Sequence, residues 1–217
     1  LRARGAHLTV RAGAVIDVLA ALHARYGIAT VRAHEETGVI ATWERDKAVA
    51  AWARRNDVAF LETPQHGVVR RLRSRNGWAK RWDAFMSRTP VAAPEILRGA
   101  DTPPDPLPAP ALIGLEPDPC PLRQTGGRRA AVEDLASFLS ERGRDYRRAM
   151  SSPVTAYDAC SRLSAHLALG SVSMRETYQA AERARLRRRE AGEDGYARSI
   201  DSFIARLHWH CHFMQKF

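Results

Sequence analysis

The segment Cys160 to Ser173, CSRLSAHLALGSVS, places two hydroxyls and an arginine at the start of a short predicted helix. The first N–H groups of a helix lack internal partners and sit at the positive end of its dipole. Ser161, Ser164 and those amides therefore suit an anion such as phosphate, and Arg162 adds a fixed positive charge. Taken alone, the string also reads as an ordinary serine cap. Its neighbours favour the anion reading: Tyr146, in RGRDYRR, precedes it by a short stretch containing Pro153, and Gly170 closes the helix just before Ser173.

Downstream, Ser173 and Glu176 have the spacing of a capping box, opening a helix that carries Met174, Thr177, Tyr178 and Ala181. That helix ends in an arginine-rich run, ARLRRREAGEDG, whose cations suit a helix C-terminus. Phe203, Leu207 and Met214, with Ile204 and Cys211 beside them, mark the apolar face of a last helix. Upstream, Val132, Leu135, Phe138 and Leu139 predict a helix from Arg128 to Arg142, with Gly143 placed to end it. No strand signal of comparable strength occurs here, so residues 124–217 are predicted to be all-α.

Ten of the twelve prolines fall between Pro90 and Pro121. At that density backbone donors are removed and φ is fixed, so residues 90–123 read as an extended linker. Before it, His7 to Val10, Ala14 to Arg25, Ile28 to Ala33, Trp43 to Arg55 and Val58 to Leu61 alternate short apolar runs with helical patterns. That order predicts βαβαβ over residues 1–89, an α/β layer with too few strands for a complete parallel sheet. The missing strands are expected upstream of Leu1, and RLHWHCHFMQKF ends within a helical pattern without a capping residue, so both ends read as cut.

Composition sets the class. Apolar residues make up 45% of the 217, enough for a real core, and 34 basic against 24 acidic residues give a net charge of +10. The arginine excess favours an anionic partner, nucleic acid or nucleotide before membrane surface. Three cysteines, Cys120, Cys160 and Cys211, form no CxxC and no paired framework. With no apolar run of membrane-span length and no signal-peptide core, the expectation is a cytoplasmic monomer. Trp43, Trp52, Trp78 and Trp82 are read mainly as core, and the basic run GVVRRLRSRNGW as a solvated face or a phosphate contact.

Tyr146, the Cys160–Leu167 block, Gly170-Ser171-Val172-Ser173 and the Trp209–Phe213 block together resemble the flavin-binding domain of the photolyase and cryptochrome family. In that family a tyrosine and a TSRLSPxL-like segment wrap FAD, and a later helix carries a W-R-E-F-like sequence. HEETG at His34 to Gly38, TWERDKAVAAWARR at Thr42 to Arg55 and the run from Glu62 to Met86 resemble the α/β antenna domain of a bacterial branch. The resemblance implies an incomplete Rossmann-like parallel sheet in residues 1–89 and part of the helical FAD-binding domain in residues 124–217.

It further implies FAD as cofactor, held by Tyr146, Cys160, Ser161, Arg162, Leu163, Ser164, Phe203 and His210, with an antenna chromophore of unassigned identity in the first domain. DNA carrying pyrimidine dimers is the implied partner, approached by Arg206 and Trp209, and the implied reaction is light-driven dimer splitting by a deoxyribodipyrimidine photolyase. The departures matter. Cys160 stands where threonine is usual, Ala165 where proline is common, Arg206 in place of a lesion-side glutamate, His210 in place of an arginine near the flavin, and Cys211 in place of the next glutamate. Arginine cannot accept a hydrogen bond from a base, so a cryptochrome-like photosensory flavoprotein without repair is the alternative, and a basic nucleic-acid-binding module the third reading. The 217 residues by themselves are not expected to repair DNA. His208, Cys211 and His212 share a helix face, but no fourth ligand is evident and no metal is expected.

Overall fold

The computed structural model describes residues 1–99, 107–116 and 118–216. Contacts divide the chain into two compact units, one of Leu1–Thr63 with Val91–Arg123, the other of Pro64–Pro90 with Gln124–Phe217.

The first unit contains α1 (Val15–Tyr26), β1 (Thr30–His34), α2 (Ile40–Arg55) and β2 (Ala59–Thr63). Gly27, at φ +68°, ends α1 by donating its N–H to the carbonyl of His23 (2.8 Å), a left-sided turn that a side chain would strain. The two strands pair in parallel with Thr30 opposite Ala59 and His34 opposite Thr63, and α2 is the crossover that parallel pairing requires. Val31 and Phe60, on the inward face, pack with Ile16, Leu19 and Ile28 against Trp52, Ala53 and Val58. Among the described residues no strand forms at His7 to Val10, where Leu8 is 62% exposed. The described sheet has two strands. From the proline-rich stretch, Leu97 donates its N–H to the carbonyl of Arg4 (2.6 Å), and Arg4 donates to the carbonyls of Ala93 and Pro94.

The second unit is helical, with α3 (Trp78–Met86), α4 (Arg128–Ser140), α5 (Tyr146–Ala149), α6 (Pro153–Ala159), α7 (Ser164–Ala168), α8 (Met174–Glu190) and α9 (Asp194–Lys216). α4 buries Ala131, Leu135, Phe138 and Leu139. Val132, expected on that stripe, is 42% exposed, because the i, i+4, i+7, i+8 face begins one residue earlier. α8 opens as the spacing predicts: the hydroxyl of Ser173 accepts the N–H of Glu176 (3.1 Å). α9 buries Tyr196, Ile200, Phe203, Leu207 and Cys211 along one face, and the Tyr196 hydroxyl donates to the carbonyl of Phe138 (2.8 Å).

Residues 64–90 are tied into this unit by backbone-directed bonds. Gln215 of α9 accepts the N–H of Val69 (2.7 Å) and donates to its carbonyl (3.0 Å). Arg175 and Gln179 of α8 donate to the carbonyls of Phe85, Met86 and Arg88, supplying acceptors at the end of α3 with the donors they lack. Trp78 and Trp82 are buried in the same core, as expected for most of the tryptophans.

Candidate flavin-loop site

Pro153 starts α6, where its missing N–H costs nothing, and the chain leaves that helix extended at Cys160 before turning into α7. The turn is made at Arg162, whose φ of +62° is the left-handed conformation that non-glycine residues adopt at a cost of about 1–2 kcal/mol. Two side chains hold it there by its carbonyls. Arg142 donates to the carbonyls of Cys160 (2.6 Å) and Asp158 (3.0 Å) while anchored on α4 through the carbonyl of Asp134 and the hydroxyl of Ser137 (both 3.0 Å). Gln124 donates to the carbonyl of Arg162 (2.7 Å) and to the carboxylate of Asp134 (2.7 Å), which also accepts from Nε2 of the buried His166 (3.1 Å).

With those carbonyls bound on the α4 side, the loop offers its donors elsewhere. The hydroxyl of Ser161 accepts the N–H of Leu163 (3.4 Å), yet Leu163 is the N-cap residue of α7 and no side chain caps that helix. The amides of Ser164 and Ala165 have no acceptor among the described residues, and both residues are exposed. The ordinary serine-cap interpretation therefore does not describe this loop. Arg162 lays its guanidinium 4.1 Å from the centre of the Tyr157 ring, and Leu163 is buried beneath the turn.

Tyr146, Cys160, Phe203 and Arg206 are brought together from three separate segments. The Tyr146 ring meets Phe138 edge-on at 5.4 Å and Phe203 at 6.1 Å. Burial raises the Tyr146 phenol above its ordinary range, the nearby Cys160 adds to this, and the positive charge of Arg206 opposes it. Burial also raises the Cys160 thiol, against the pull of Arg142 and Arg162, so this cysteine stands in the loop as a neutral thiol. Arg206 in turn lies 4.5 Å from the centre of the Trp209 ring, and Trp209 is 48% exposed with Phe213 edge-on at 5.9 Å. Arg206 thus links the tyrosine wall to an open aromatic pair. His210 stands apart from that wall in its ring contacts, edge-on to His66 at 6.2 Å.

The histidines of α9 are packing elements. His208 is wedged between Trp78 and Trp82, each 4.9 Å away, and His212 lies 5.7 Å from Trp78. Among the described residues no three His, Cys, Asp or Glu side chains are grouped to hold a metal ion. Burial lowers the His208 pKa below its ordinary value, with Asp83 opposing and His212 reinforcing the shift. Unfolded His208 therefore takes up a proton at a pH where the folded ring still resists it, so stability is whole above the ordinary histidine range and falls as pH drops through it. A melting temperature that declines from about pH 7 to pH 5, with a shallower decline in His208→Phe, is the expected result in thermal scans.

In the first unit, HEETG forms the turn from β1 into α2. One carboxylate oxygen of Glu36 accepts the N–H groups of Thr37 (2.9 Å) and Gly38 (2.6 Å), and Arg45 holds the other oxygen at 3.2 Å. The Glu35 N–H and His34 Nδ1 both face the carbonyl of Thr63, at 2.9 and 3.4 Å. Gln124, Asp134, His166 and Arg142 went unnoticed in the sequence. Their partners lie up to tens of residues away, and nothing local marks them.

A small parallel α/β unit is thus followed by a helical unit carrying a loop with open amides beside a buried tyrosine. Residues 1–94 match the sequence profile of the DNA photolyase family. The fold of the whole chain matches the crystal structure of a bacterial class III photolyase from Agrobacterium tumefaciens, with a TM-score of 0.77 at 20% identity. That match covers 100% of this chain and 47% of the photolyase, so the chain spans about half the length of its structural relative. No curated protein sequence matches it.

Proposed function

We propose that the helical unit binds FAD and that the protein acts in light-driven electron transfer to pyrimidine dimers in DNA. The observation that carries this reading is the convergence of Tyr146, Cys160, Phe203 and Arg206 beside a loop whose carbonyls are tied back and whose Ser164 and Ala165 amides are open. These residues fit the cofactor's chemistry: free N–H groups and the Ser161 and Ser164 hydroxyls suit a pyrophosphate, while buried Phe203 and Tyr146 brace the wall beside the loop. Leu163, its side chain buried under the turn, would take part by supporting the loop from within. His210 would take part only from the far flank of α9, where it meets His66. Bound FAD would supply the photochemistry, while the protein supplies binding, orientation and electrostatics.

Trp209, open to solvent and backed by Arg206, is the surface on which an extruded base would stack. One observation favours the photosensory alternative. The residue in the lesion-side position, Arg206, already lies over the Trp209 ring, and it has no acceptor to offer a base. Blue-light repair of a thymine-dimer oligonucleotide by the FAD-loaded full-length protein to which these residues belong separates the two readings, since FAD binding with no repair there leaves only the photosensory one. For the FAD site itself, fluorescence titration with Gln124→Ala, which releases the Arg162 carbonyl, is expected to weaken FAD binding by about tenfold while riboflavin, lacking the pyrophosphate, is little affected. Equal loss for both ligands would remove the loop from the site.

A further inference from the structure

The second unit contains a groove of about 590 Å³ between α4 and α8, away from the loop residues just described. Its floor is apolar, built by Ala136 and Leu139 of α4 and Ala180 and Ala184 of α8. Every charged residue lining it is an arginine: Arg183, Arg187 and Arg188. Three guanidiniums beside an apolar floor, with no carboxylate in the lining, form an incomplete charge pattern.

The helix itself shows which charges are left over. Five arginines lie between positions 183 and 189, and three are neutralised within the chain. Arg185 pairs with Glu182 (2.6 Å) and Asp201 (3.5 Å), and Arg189 pairs with Asp201 (2.9 Å). Arg188 pairs with Glu193 (2.5 Å) and donates to the carbonyls of Leu139 and Ser140 at the end of α4. Arg183 and Arg187 have no carboxylate among the described residues; both are exposed, and both line the groove one helical turn apart.

We infer that this groove docks an acidic amphipathic helix of a partner protein, its apolar side on the alanine and leucine floor and its carboxylates on Arg183 and Arg187. The lining runs from Ala180 along α8 to Ala191 just past its end, about 16 Å at 1.5 Å per residue, which matches three turns of an incoming helix. Carboxylates at i and i+4 on such a helix have the same spacing as the two arginines. A nucleic-acid backbone would satisfy the arginines but has no apolar group for the floor, which is why a protein helix is favoured. The inference stands whether or not the helical unit binds a flavin.

Fluorescence anisotropy on the protein tests it. The probe is a labelled peptide of about four helical turns with leucines on one face and glutamates flanking them, alongside the same peptide with lysines for glutamates and a labelled single-stranded DNA. The glutamate peptide is expected to bind saturably, and the doubly reversed variant R183E/R187E to bind it at least about tenfold more weakly while gaining affinity for the lysine peptide. Both arginines are exposed, so the variant should keep the native circular dichroism spectrum, which is recorded as a control. Absence of glutamate-peptide binding, equal binding by the variant, or displacement of the peptide by DNA at equal concentration would overturn the inference.

Discussion

Phe138→Ala is expected to lower the unfolding free energy of the helical unit by about 3–5 kcal/mol, the range for deleting a fully buried aromatic ring. Phe138 has no exposed surface, and its ring is the common support of Phe203 (4.7 Å) and Tyr146 (5.4 Å). Around it the backbone leaves little freedom to collapse. Its carbonyl accepts the Tyr196 hydroxyl at 2.8 Å, and a Cβ on Gly143 would come within 2.6 Å of the same oxygen. The cavity should therefore persist rather than fill, which places the cost toward the upper end of that range. Because Tyr146 and Phe203 rest on this ring, FAD binding should weaken with it. Phe138→Leu, which keeps most of the volume, should be much milder. Urea denaturation with an unchanged slope is the measurement; a loss below about 1 kcal/mol would mean the site collapses and the ring is not the support described.

Trp82→Ala is expected to cost a similar amount, about 3–5 kcal/mol, and to do so through a different set of contacts. Trp82 is buried between Tyr178 (5.2 Å, edge-on) and His208 (4.9 Å), and its face closes directly on Gly67, where an added Cβ would lie 2.1 Å from the indole. Gly67→Ala by itself must push a ring that has nowhere to go, at about 1–3 kcal/mol for overpacking. In the Trp82→Ala background the same methyl group enters empty space. The double variant should accordingly be more stable than the sum of the two single losses, and a thermodynamic cycle by chemical denaturation reads this coupling directly. Additive losses would show that Gly67 and Trp82 do not share the contact.

The helices were legible because their signals are periodic and local. Ser173 and Glu176 formed the predicted cap, and Phe203, Leu207 and Cys211 of the buried α9 face followed from its apolar spacing, while Tyr196 and Ile200 on the same face were not picked out. β1 and β2 were legible as short apolar runs flanking a helix, whereas His7 to Val10, which reads the same way, is not a strand among the described residues, since β propensity depends on context. The docking of residues 64–90 was not legible at all. It rests on Gln215 bonding the backbone of Val69 and on Gln179 bonding the end of α3, and a side chain that bonds a distant backbone leaves no pattern in its own neighbourhood.

The candidate site divides in the same way. Tyr146, the serine-rich loop and Arg206 could be picked out by resemblance, and in the structure Cys160 and Arg206 lie near enough to Tyr146 to act on its phenol. What holds the loop in shape was hidden, since Arg142 and Gln124 act on carbonyls, which every residue has. Arg206 also gained a meaning the sequence alone did not give. It is occupied by Tyr146 and Trp209, so changing it should disturb the tyrosine wall and the exposed tryptophan together.

The central claim, that Tyr146, the Cys160–Ala165 loop and the Phe203–Arg206 turn of α9 form one flavin-binding surface, is tested most directly by titrating the ¹⁵N-labelled protein with FAD and following backbone amide resonances. Progressive, saturable shifts concentrated at Tyr146, Ser161 to Ala165, Phe203 and Arg206 are expected. A spectrum unchanged by FAD, or shifts confined to residues 1–63, would contradict the assignment.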